Sequence, residues 1–189
     1  MAKFFGNLHL VLVAGLVLSL ALMFGLHGDG LTAQSVTRWL HTFFGIVWIG
    51  LLYYFNFVQI PSMASIPDEQ KPAISKVIAP TALFWFRYGA LATVVTGLLL
   101  AWMQKYLFLA LTLQVPFAAI GIGMWIALIM AFNVWFIIWP NQKKALGMVV
   151  VEPAEKAKAA RTAMLTSRIN TLLSITMLYM MVAQQNGGL

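Results

Sequence analysis

Stretches of about twenty mostly apolar residues recur along this chain and leave it few ways to fold. A bilayer core about 30 Å thick is crossed by roughly 20 helical residues, and five such stretches stand at 8–26, 39–60, 81–102, 117–139 and 169–183. The residues are 61% apolar and only 9% charged, where a soluble domain carries about a quarter charged. Lipid must be the solvent. The pattern predicts an all-α integral membrane bundle of about five transmembrane helices, forming a single transmembrane domain over residues 1–189.

Prolines punctuate the pattern. Pro61 is expected to stop the second helix, Pro80 to precede the third, and Pro116 and Pro140 to bracket the fourth. Pro153 would open a cytoplasmic helical extension over 153–168 that continues into the fifth, since proline fits a first turn. Ser65-Ile66-Pro67-Asp68 reads as a cap, a first-turn proline and an acid at the positive helix end, predicting a short interfacial helix over 66–78. The apolar run 106–115 is too short to cross as a helix and is read as lying at, or dipping into, the surface. The first stretch follows Lys3 as in a signal peptide, but no small-residue cleavage site follows it, so it is read as retained.

Charge sets the orientation. With five crossings, Lys3, Lys71, Lys76, Lys143, Lys144, Lys156, Lys158, Arg161 and Arg168 fall on one side, and only Arg38 and Lys105 on the other. The positive-inside rule then places the N-terminus in the cytoplasm and the C-terminus outside it. The formal charge of +7 is explained by these loops, with the lipid bilayer as partner and no nucleic acid. The chain has no cysteine, which excludes a c-type haem and an iron–sulfur cluster within it. It shows no glycine-rich phosphate loop, nucleophile elbow or paired metal-ligand motif.

Polar side chains inside membrane helices are costly and usually face the protein interior. In the outer half, His27 and His41 come from adjacent helices at similar depth and could serve as axial ligands of a haem b iron, His41 foremost. The other reading of each is an interfacial histidine bonded to water or headgroups. In the inner half, Arg87 lies near the depth of Asn56, Gln59, Asn133 and Asn170, with Ser174 beside them. This layer reads as a pocket for an anionic group such as a haem propionate, a quinone headgroup or an anionic substrate. It reads equally as a structural network from which Arg87 snorkels toward lipid phosphates. Gly89, Thr93 and Gly97, and Gly123, Ala127 and Ala131, form small-residue stripes suited to close helix packing.

Several segments carry a resemblance. Arg38-Trp39-Leu40-His41 with Gly45-Ile46-Val47-Trp48-Ile49-Gly50 resembles the helix opening the membrane domain of bacterial membrane-bound urate oxidase (urate hydroxylase). Phe84-Trp85-Phe86-Arg87-Tyr88 fits the same family. So do Asn133-Val134-Trp135 through Ile138-Trp139-Pro140-Asn141-Gln142-Lys143-Lys144, and the stretch around Asn170-Thr171-Leu172. A fainter likeness reaches haem-binding four-helix membrane proteins of the protoporphyrinogen-oxidase type. This fainter likeness implies His41 as the leading haem ligand and Arg87 in the place of a lysine of those proteins. Full members of the urate-oxidase family have about eight crossings and a terminal cytochrome c domain, so this chain resembles a truncated member without that domain. Ile169 stands where the family pattern has a histidine, and Gly89 where it has an acid.

These features imply a multi-pass protein of the bacterial inner membrane. They point to a b-haem-associated redox module serving a quinone or cytochrome partner, an oxidoreductase component. The alternative is a non-catalytic accessory subunit, working with other membrane subunits or as a homo-oligomer. No catalytic residue is assigned.

Overall fold

A computed structural model of the chain describes residues 1–28 and 32–186, and all regular structure among them is helical. After a short α1 (Ala2–Phe5) comes α2 (Leu8–His27). Next are α3 (Ala33–Ser62), α4 (Lys71–Met103), a five-residue α5 (Leu107–Leu111), α6 (Ala118–Ala145) and α7 (Pro153–Ala183). The chain divides into two compact units, Met1–Val36 and Thr37–Leu189.

In the first unit, Asn7 caps α2 by accepting from the backbone N–H groups of His9 and Leu10 at 3.0 and 3.3 Å. Two of the orphan donors at the helix start are thereby satisfied. The helix is apolar on every side, as a segment solvated by lipid should be.

In the second unit, Trp48, Leu52 and Phe55 of α3 pack with Leu83, Phe86 and Ala90 of α4, and with Met130, Val134 and Ile138 of α6. α7 lies along α6 and closes the core with Met177. α5 folds back onto α6, where a Cβ on Gly121 would overlap the Ala110 carbonyl. Only glycine fits so close a backbone approach.

Among the described residues, four helices are long and apolar enough to cross a membrane: residues 8–26, then α3, α4 and α6. The expected fifth stretch, 169–183, is the C-terminal half of α7, where Asn170, Thr171, Ser174 and Thr176 dilute the apolar run.

Pro116 precedes α6 and Pro153 opens α7 as expected, but three other prolines act otherwise. Each of α3, α4 and α6 runs through its proline by widening into a π turn just before it: Tyr54–Gln59, Ile74–Ile78 and Asn133–Ile138. The residues preceding Pro61, Pro80 and Pro140 bond back five places, Ile60 to Phe55, Ala79 to Ile74 and Trp139 to Val134. A proline offers no N–H and crowds the carbonyl four residues back, and the wider turn accommodates both defects. The interfacial helix expected over 66–78 is therefore not separate. Residues 67–70 form a turn, helix begins at Lys71, and its first-turn proline is Pro72 rather than Pro67. Lys71 donates to Asp68 at 2.6 Å, and this bond and charge hold the Asp68 carboxyl below its usual range.

Candidate functional site

His41 sits on α3 facing α4. The α4 stripe of Gly89, Thr93 and Gly97 lets the two helices approach until a Cβ on Gly89 would stand 3.4 Å from the Trp48 backbone nitrogen. At the next turns the same stripe seats the imidazole, so a Cβ on Gly97 would stand 2.8 Å from His41 Cε1. His41 Nδ1 lies 2.9 Å from the Thr93 carbonyl oxygen. A carbonyl only accepts, so Nδ1 donates, and in the neutral ring Nε2 holds the lone pair. Thr93 and Thr96 turn their own hydroxyls onto α4 carbonyls, Gly89 and Ala92, at 2.7 and 2.6 Å. Sequence pattern identified the stripe as a packing seam but not as the histidine's seat. Small residues serve both purposes, and periodicity cannot separate them.

This seat fits what a haem b would require of one axial ligand. The ring is half-buried and oriented through its other nitrogen, as metal-bound histidines usually are. His41 is the one histidine in residues 37–189. The side chain of His27 lies outside the described residues.

The inner layer resolves into pairs. Asn56 Nδ2 donates to Ser167 Oγ at 2.8 Å, and the Tyr53 hydroxyl meets Ser174 Oγ at 3.0 Å, tying α3 to α7. Asn133 Nδ2 donates to Asn170 Oδ1 at 2.8 Å, while Asn170 Nδ2 donates to the Met130 carbonyl at 3.0 Å, tying α6 to α7. Asn170 and Ser174 are fully buried, so α7 is the hub. Two of the donors, Asn56 and Asn133, sit in the π turns that Pro61 and Pro140 impose. Gln59 and Arg87 join no hydrogen-bonded pair there: Gln59 Oε1 and Arg87 Nε and Nη1 are buried without a partner among the described residues. Arg87 instead stacks on Trp139 of α6, 3.3 Å from the ring centre. The expected single layer is thus a hydrogen-bonded network on α7 and a separate cation–π stack. Ser167, Tyr53, Trp139 and Lys143 were the partners that sequence reading missed. Trp139 reads as an ordinary interfacial tryptophan until the π turn before it is seen.

No curated protein and no solved structure matches the chain. Residues 110–187, less than half of it, match the model of a family described as urate oxidase N-terminal. The matched part holds α6 and α7 with Asn133, Trp139, Lys143 and Asn170, but neither His41 nor Arg87. The match supports a urate oxidase-related family, and with the apolar helices it points to a membrane protein of that kind.

Proposed function

We propose that the chain is a multi-pass membrane module of the urate-oxidase type that holds a b haem through His41. It would exchange electrons with a quinone or a partner cytochrome. One observation carries the reading: Nδ1 of His41 is fixed on the Thr93 carbonyl at 2.9 Å, which presents Nε2 as the ligating nitrogen. A haem bound there would supply one-electron transfer. The chain's own contribution is to hold one tautomer and one ring orientation, with Gly97 leaving room for the ring.

The test is the absorption spectrum of detergent-purified protein, oxidised and reduced. Wild type should show a Soret band, His41→Ala should lose it, and Gly97→Ala should lose most of it by displacing the ring. A wild type without the band, or a band unchanged in His41→Ala, refutes the proposal. The other reading, a non-catalytic accessory subunit of a larger complex, is favoured by the single imidazole of residues 37–189. Co-purification with other membrane subunits and no haem would decide for it.

A further inference from the structure

Arg87 carries a charge it cannot shed, half-buried in a helix apolar enough to cross a membrane. The Trp139 ring covers one face of its guanidinium. The Lys143 ammonium approaches that same ring, 5.6 Å from its centre. Stacking satisfies the face of a guanidinium but not its edge. Arg87 Nε and Nη1 remain buried with no acceptor among the described residues. The indole Nε1 of Trp135, whose ring packs edge-on against Tyr88, is a further buried donor in the same condition.

Two cations therefore share one tryptophan, and none of the ion pairs among the described residues involves either. Asp68 pairs with Lys71, and Glu155 with Lys144. The chain's five acidic residues, at 29, 68, 69, 152 and 155, all lie outside α3, α4 and α6. A buried charge without a counter-charge is among the costliest arrangements in a protein. A guanidinium edge suits the oxygens of a phosphate or carboxylate, and a nearby ammonium adds a point charge. The neighbouring groove lined by Asn141, Lys144, Glu155, Lys158, Ala159 and Thr162 is a weaker candidate, because the Lys144–Glu155 pair already neutralises part of it.

We propose that Arg87, Trp139 and Lys143 form an oxyanion site at the Pro140 end of α6, separate from the His41 seat. It takes a phosphate group, carried either by an anionic lipid headgroup or by a free anion.

The experiment follows thermal unfolding of the full chain in an uncharged detergent. Dioleoylphosphatidylglycerol and inorganic phosphate are titrated in separate arms, into wild type and Arg87→Met. A rise in Tm with the lipid alone, needing about tenfold or more ligand in Arg87→Met, supports the site and identifies a headgroup. The same Arg87-dependent rise with inorganic phosphate supports the site and identifies a free anion. Equal responses in both proteins, or no response in either arm, overturn the proposal. Should Arg87→Met not fold, the Arg87→Lys and Lys143→Gln double variant replaces it, with the same outcomes. None of these readings depends on whether haem is bound.

Discussion

Lys105 has φ +63° and Leu113 has φ +55°, both left-handed, a conformation that glycine adopts freely and other residues do not. Each closes a helix by the same pair of backbone bonds. Tyr106 N–H reaches the Ala101 carbonyl with Lys105 N–H on Trp102, and Gln114 N–H reaches Leu109 with Leu113 N–H on Ala110. α6 ends likewise, with the expected glycine, Gly147 at φ +75°. The left-handed form costs an L-residue about 1–2 kcal/mol, partly offset by the stiffer unfolded chain. Lys105→Gly should therefore stabilise the protein by about 0.5–1 kcal/mol, read as a later midpoint in a detergent unfolding titration. An unchanged or earlier midpoint would show that the lysine side chain does more than its backbone costs. The Gly147 stop was not read from the sequence, where Pro140 was expected to end the helix. Nor were the other two, because residues 101–121 fold back tightly and tertiary contact sets their backbone: Leu113 Cδ2 would lie 2.9 Å from a Cβ on Gly121.

Among the elements, α7 shows how far a residue pattern reaches. Its buried side, Ala159, Ala163, Thr166, Ser167, Asn170, Ser174 and Met177, is small or polar. In its C-terminal half the exposed side, including Ile169, Leu172, Ile175, Tyr179 and Val182, is apolar, whereas the first half exposes Glu155, Lys156, Lys158, Arg161 and Arg168. The C-terminal half is thus the inverse of a helix on a water-soluble protein. Sequence reading picked out Asn56, Asn133 and Asn170 because amides are rare in such helices, but it could not pair them. Pairing depends on rotation about each helix axis, which the π turns reset. Hydrogen bonds between membrane helices contribute on average about 0.6 kcal/mol. A double-mutant cycle of Asn133→Ala and Asn170→Ala should return a coupling near that value, and no more than about 1.7 kcal/mol. Strict additivity would mean that the Asn133–Asn170 bond contributes nothing to stability.

For the whole molecule, many bulky apolar side chains are exposed (Ile46, Trp85, Phe132, Phe136 and Leu172 among them), while Asn170 and Ser174 are wholly buried. Lipid as solvent accounts for both. If the apolar half of α7 is also a crossing, a reporter fused after Leu189 that is active only outside the cytoplasm should give signal. A signal from a cytoplasm-only reporter at that position would remove one crossing. The membrane class and the long helices were legible because lipid acts on every exposed residue at once. The sites were less so, since each rests on two or three contacts. The π turns carry a consequence for sequence patterns themselves. A π turn holds about one residue more than the α turn it replaces, so beyond it the helix is out of phase by about 100°. A stripe written before Tyr54, Ile74 or Asn133 thus resumes on another face after the following proline. No single period can describe α3, α4 or α6 from end to end: a main helix of 21, 25 or 15 residues meets a shorter piece of three, three or seven residues out of phase.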